Sequence, residues 1–501
     1  MVAGQDETPV TLEFELPAGD WARLLRVPAL QARRQGRARS MPLSIVWHDT
    51  PDGLLAARGL SLSHTAQNAG TVSGRADWRL ERLRPDGILG WLPGAAAPLL
   101  AEAAELVALG TKLPPGLAPV AAFGGSRRVY ALHGRIASGL SVLDGSLRGV
   151  AADAPACRMT LYGELAETAE LAVTLAQAVP LRLPIAGLAA QAMAVASCRV
   201  ADPHCSGPAA LPPGMNLSDS LAFVCAHFTA TLLYWAALVG DATTPEPVHQ
   251  MRVAVRRLRS ALTVFRRAVH GDAAGAPWLD ELTGQLKQLA ARLGAARDWD
   301  VFLTETGADV AAAFPGDRRI VSMLAAARRC QAAAYGGLRA DLDAQAWTRL
   351  QVSLALLPLC RPWQAHIAAI PVEAYAGKAL DRRSRHVLAP GSSLSGLSPH
   401  ELHEVRKQAK RLRYATEIFA PHFAERRVQK YLAKLERLQA VLGTVNDTAV
   451  AAGLMAQLGG GLDRAFAGGA VQGFGAGRAA HYSSRVDRAW NRFTKASPFW
   501  D

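Results

Sequence analysis

The chain of 501 residues predicts a multidomain fold: an N-terminal α+β, antiparallel, barrel-like domain, then an all-α domain of two pseudo-symmetric helical bundles. Three observations predict it. Short alternating runs with turn signals fill residues 1–200, whereas apolar spacing from Leu217 onward is helical. Residues 201–216, rich in proline and without periodicity, form a linker between them. Charge divides at the same place. Through Asn216 there are 19 Lys+Arg against 18 Asp+Glu, and the remaining 36 against 24 give the second part +12 of the net +13. That split suits a polyanion-binding domain joined to a near-neutral one.

In chain order, TLEFEL alternates as a strand, and Asp20 can cap a short amphipathic helix over Trp21 to Leu30. SIVWHDTPDGLLAARGLSLSH reads as strand, turn and strand, RRVYALHGRI and CRMTLYGEL as further strands, and Glu164 to Gln177 as a helix. Beyond the linker, SDSLAFVCAHFTATLLYWAALV starts on a capping Ser218 or Asp219. Two long amphipathic helices follow, VHQMRVAVRRLRSALTVFRR and LDELTGQLKQLAARLGAARDWDVFL, and then helices near 318–345, 347–368 and 371–387. Gly459–Gly461 and the Gly-rich 468–477 read as a flexible connection before the last helix.

The segment from Val248 has two faces. At about 100° per residue, His249, Arg252, Arg256, Arg259, Arg266 and Arg267 fall within an arc of about 100°, with Met251, Val255, Leu258, Leu262 and Phe265 beside them. Like charges at this spacing repel, so a polyanion on that face explains them better than solvent once the pattern recurs. It does recur. LHEVRKQAKRLRYATEIF (402–419) shares seven of eighteen residues with 248–265, and LGTVNDTAV (442–450) echoes LGAARDWDV (293–301). The half is an internal duplication with units of about 217–370 and 371–501. Pseudo-twofold symmetry should bring the two basic faces towards a common axis.

The candidate polyanion ligands are His249, Arg252, Arg256, Arg257, Arg259, Arg266, Lys287 and Arg297 in the first unit. In the second they are His403, Arg406, Lys407, Lys410, Arg413 and Tyr414, with a further stripe of Lys430, Lys434 and Arg437 at i, i+4, i+7. Arginine forks match phosphate oxygens, and a basic face with only Tyr414 to stack on offers little to nucleobases. Inorganic polyphosphate is therefore the expected partner, rather than specific nucleic acid or a membrane. The two histidines head the basic stripes without the carboxylates of a metal motif and are read as phosphate contacts. Asp298, Asp300 and Asp447 are read as orienting arginines or capping helices. No nucleophile–base pair or phosphate-cradling glycine loop appears, so no catalytic residue, metal or cofactor is assigned. The six cysteines show no C-x-x-C pair, the N-terminus lacks a signal-peptide pattern, and no apolar run approaches the roughly 20 residues of a membrane span. A cytoplasmic protein is expected.

These motifs carry two resemblances. VHQMRVAVRRLRSALTVFR, LGAARDWDV, LHEVRKQAKRLRYATEIF and LQAVLGTVND together resemble the CHAD domain, the conserved-histidine α-helical domain, over about 217–501. That resemblance implies non-covalent polyphosphate binding in a basic pore between two bundles, and association with polyphosphate or polyhydroxyalkanoate granules. Glu13-Phe-Glu15, WHDTPDGLLAARGLSL and the late helix before VPLRLP resemble a CYTH domain, the triphosphate tunnel enzymes, over residues 1–200. The resemblance is degenerate. Pro17 stands where the family's opening motif has lysine, Ser61 and Ser63 where arginines alternate, and Arg158, Thr160 and Tyr162 where glutamates are expected. An inactive relative follows as the expectation. The alternatives are a working metal-dependent triphosphatase in that domain, and a granule-surface scaffold to which polyphosphate is incidental.

Overall fold

A computed structural model describes residues 9–66 except 18, 77–83, 116–149, 152–199, 206–240, 244–270, 277–363, 365–394 and 396–500. The chain divides into two compact units. The first comprises residues 1–206, 229–237 and 343–361, and the second 207–228, 238–342 and 362–501.

The first unit is built on seven strands: β1 Pro9–Glu15, β2 Arg34–Asp49, β3 Leu60–Ala66, β4 Asp77–Arg82, β5 Ala118–Leu132, β6 Ser138–Gly149 and β7 Asp153–Glu164. Every pairing is antiparallel and the order is β1-β7-β6-β5-β2-β3-β4, a curled half-barrel. This is the antiparallel α+β architecture expected. The helix expected over Trp21–Leu30 is two, α1 Trp21–Leu24 and α2 Pro28–Arg33. Pro28 sits in the first turn of α2, where its missing N–H costs nothing, and disfavours helix in the residue before it. A short α3, Leu54–Ala57, lies in the turn between β2 and β3. Helix α4, Leu165–Ala178, is capped by the Glu164 carboxylate accepting from the Ala166 N–H. Helix α5, Leu188–Ala196, brings Ala192, Leu188 and Met193 against Trp47, Phe123 and Leu147 of the sheet.

The second half of the chain is helical: α6 Leu217–Ala237, α7 Glu246–His270, α8 Pro277–Thr304, α9 Thr306–Ala313, α10 Arg318–Asp343, α11 Gln345–Cys360, α12 Val372–Leu388, α13 Pro399–Phe419, α14 Glu425–Gln457 and α15 Leu462–Thr494. Helix α11 is apolar on most sides and belongs to the first unit. The buried Gln351 amide accepts from the Leu183 N–H at 3.3 Å, and Gln345 donates to the Ala176 carbonyl at the end of α4.

Three expectations are corrected. Asn216, not Ser218 or Asp219, caps α6: its Oδ1 accepts from the Asp219 N–H at 2.8 Å. At 21 residues with mean hydropathy 1.4, α6 is long and apolar enough to cross a membrane by length and composition, which sequence reading denied. Its most apolar window is 78% buried inside the protein. The Gly-rich 468–477 is not a connection but the middle of α15, and the turn is confined to Leu458–Gly461, with Gly459 at φ +84° and Gly461 at φ +122°. Here Ala467 and Val471 of α15 pack with Leu454 and Met455 of α14.

Candidate polyanion site

The site grows out of α7 and α13. Helix α7 buries Val248, Met251, Val255, Leu258, Leu262 and Phe265, and α13 buries Val405, Ala409, Leu412, Ile418 and Phe419. Its start is fixed by a capping box, the Ser398 hydroxyl accepting from the Glu401 N–H while the Glu401 carboxylate accepts from the Ser398 N–H at 2.7 Å. The two helices pack on each other. Equivalent residues of the duplication meet: Phe265 and Phe419 have ring centroids 5.8 Å apart, and Arg252 lies within electrostatic reach of Arg406. Contact of a residue with its own counterpart is what a twofold relation produces.

Around this axis the basic side chains gather. Arg297, Arg256 and Arg252 lie close enough to His249 to act on it electrostatically, and burial followed by the charge of Arg297 holds the His249 pKa below its ordinary value. Burial, opposed by Asp298, also lowers Arg252, which stays charged near neutrality because a guanidinium starts so high. Arg256 and Arg257 stack towards Tyr414, at 5.4 and 5.9 Å from its ring centroid. Tyr414 is 6% exposed, so it supports the arginines from beneath and presents no face for a base. A second cluster lies farther along α7 and α13, where Arg259 and Arg383 of α12 both feel Arg411.

Carboxylates divide these cations into two groups. Arg413 donates to Glu417 at 2.7 Å and to Glu436 at 3.1 Å, and Arg257 reaches Glu417 at 3.1 Å. Lys407 pairs with Glu404, Arg266 with Asp280, Arg252 with Asp298 at 3.8 Å and Arg297 with Asp300 at 3.9 Å. Asp300 is 1% exposed and also accepts from Gln331 and Tyr335. Asp298 and Asp300 thus orient arginines, while the side chain of Asp447 lies outside the described residues. Arg256 and Arg259 have no carboxylate partner among the described residues, and each keeps a buried Nε–H without an acceptor. His403, Arg406 and Lys410 are half-buried on α13 and engaged with neighbours, Arg406 passing over Gly443 of α14. Lys287 is exposed on α8.

The stripe of Lys430, Lys434 and Arg437 does not join this cluster. On α14, Glu436, Gln439 and Gly443 face α13: Glu436 holds Arg413, Gln439 donates to the Ala409 carbonyl, and Gly443 meets Arg406. At about 100° per residue the lysine stripe points to the opposite side. There Lys434 and Arg437 line a groove of about 680 Å³ with Arg485, Arg488, Arg492 and Lys495 of α15. Sequence reading missed these four cations and Arg382, Arg383 and Arg411. The i, i+3, i+7, i+10 spacing of 485, 488, 492 and 495 was the available signal.

Such geometry defines a duplicated, basic, all-α domain. The family model of the CHAD domain matches residues 224–456. The CHAD domain from the plant Ricinus communis is 26% identical, with TM-score 0.50, covering 59% of this chain and 98% of that one. PptA from Streptomyces chartreusis is 17% identical, with TM-score 0.44, covering 55% of this chain and 99% of that one. The putative adenylyl cyclase HpAC1 from Hippeastrum, described with a dominant triphosphatase activity, is 12% identical with TM-score 0.27, covering 38% and 97%. No curated protein matches the chain.

In the first unit the two carboxylates of the opening strand meet a guanidinium. Arg158, 1% exposed on β7, donates to Glu13 at 2.8 Å and to Glu15 at 3.3 Å, and also to the Ala186 carbonyl and Gln191. A divalent cation needs those carboxylate oxygens for itself, so the set does not fit a metal while Arg158 holds it.

Proposed function

We propose that the helical domain binds inorganic polyphosphate non-covalently on the joined basic faces of α7 and α13. The observation that carries this reading is the pair Arg256 and Arg259, set among Arg252, Arg297, Arg406 and Arg411 with no carboxylate of their own among the described residues. A cluster of half-buried guanidiniums gains most from a ligand that is all negative charge and forked acceptors. Single-stranded RNA would want stacking surfaces, and Tyr414 is already covered. Titration of long-chain polyphosphate against the full chain, with single-stranded RNA as competitor, tests it. Polyphosphate should bind at low salt and resist displacement by RNA at equal phosphate; displacement by RNA would defeat the reading.

The N-terminal unit serves in this account as a non-catalytic partner. Arg158 supports that assignment, because its guanidinium takes the place beside Glu13 and Glu15 that metal-bound triphosphate chemistry would require. Metal-dependent phosphate release from tripolyphosphate, lost on changing Glu13 and Glu15, would overturn it. Attachment to polyphosphate or polyester granules is followed by tagging the protein in cells lacking each granule type.

A further inference from the structure

We infer that the groove between α14 and α15 is a second, separate binding site for a linear oligophosphate. The two helices form an antiparallel hairpin closed by the short turn at Leu458–Gly461, so their side chains run beside each other over many turns. Along one side, Lys434 and Arg437 of α14 oppose Arg485, Arg488, Arg492 and Lys495 of α15 across a cavity of about 680 Å³. The floor is Ala440, Val441 and Ala489, small enough to let a thin chain settle between the two walls. Among the described residues no carboxylate lines the groove. Lys434, Arg437, Arg492 and Lys495 make no ion pair with any described residue.

The chemistry of the lining selects the ligand. Positions 485 to 495 span about 15 Å of helix at 1.5 Å per residue, a row of cations rather than a single anion pocket. Guanidiniums on both walls suit forked contacts to successive phosphates. The aromatic residues nearby are committed elsewhere: Trp490 is fully buried, with its indole N–H on the Gly391 carbonyl, and Phe493 is 2% exposed. Among the described residues the lining offers no aromatic ring to stack on a base. Because the Arg406-facing residues of α14 lie on its opposite side, one short ligand cannot touch both places. The groove therefore goes beyond the α7–α13 reading and does not depend on it.

Calorimetric titration of the full chain with a short, size-fractionated polyphosphate tests the assignment. Two binding events per chain are expected. In Lys434→Ala/Arg492→Ala/Lys495→Ala one should vanish while the other keeps its affinity. Arg256→Ala/Arg259→Ala should remove the other. A groove variant that retains both events overturns this inference and leaves the α7–α13 reading standing. A face variant that retains both, while the groove variant loses one, does the reverse. Displacement from the groove by polyglutamate of equal charge would also overturn it, because the occupant would then be an acidic peptide.

Discussion

The two copies of the basic helix share their arginines but not their neighbours. In the second copy Arg413 is held by Glu417, four residues on, and by Glu436 of the next helix. In the first copy the equivalent of Arg413 is Arg259. Thr263 stands where the second has Glu417, and Lys287 stands where it has Glu436. Arg259 accordingly has no carboxylate partner among the described residues, and its Nε–H is buried without an acceptor. Duplication supplied the same guanidiniums twice, and the carboxylates around them decided their use. Arg413 is spent on holding α13 to α14, whereas on the proposed reading its counterpart Arg259 is left to a ligand.

That contrast can be broken or sharpened in order of expected size. Removing both uncommitted arginines, Arg256→Ala/Arg259→Ala, should raise the Kd for long-chain polyphosphate about a hundredfold, since a hydrogen bond to a charged group contributes about 1.5–3 kcal/mol. Thermal stability should hardly change. Thr263→Glu transplants the second copy's carboxylate into the first, four residues beyond Arg259. It should weaken binding about tenfold, by pairing the arginine and repelling the ligand. Glu417→Gln works the other way: freeing Arg257 and Arg413 should tighten binding a few-fold. It should also lower stability by about 1–2 kcal/mol, allowing for the partial exposure of Arg413, and a thermal melt beside a titration reads both effects.

The smallest effect is that of pH. Burial and neighbouring cations hold His249 below its ordinary pKa, so it is neutral near pH 7 in the ligand-free protein. A polyanion alongside would raise that pKa, and binding would take up a proton. Affinity should therefore rise as pH falls from the bound-state pKa towards the free-state value, and His249→Ala should flatten the slope. Folding runs oppositely. The folded pKa is depressed, so stability is whole above the unfolded value near 6.5 and declines as pH falls through the folded one.

Much of this was legible before any coordinates. Helical spacing and the repeat at 402–419 placed α7 and α13 and put their arginines on one face, because amphipathic periodicity is a local property. Pairings between residues far apart were not legible. Nothing in the sequence says that Glu436 meets Arg413, or that Arg158 meets Glu13 across 145 positions. The stripe of Lys430, Lys434 and Arg437 was read as part of the same site because spacing gives a helix face but not its neighbour. Glycine misled in the same way. Residues 468–477 resemble a loop by composition, yet contact with α14 overrides that local preference. Helix α11 shows the same limit, since its apolar run could have joined either unit.

On the proposed reading Arg259 of the first copy binds the ligand while its counterpart Arg413 braces the fold. Side-by-side titrations of Arg259→Ala and Arg413→Ala with long-chain polyphosphate test it most directly, because the two residues are equivalent in the duplication. The account predicts that Arg259→Ala raises the Kd about tenfold without moving the melting temperature. Arg413→Ala should lower the melting temperature and change the Kd much less. Equal losses of affinity, or a larger loss for Arg413→Ala, would contradict it.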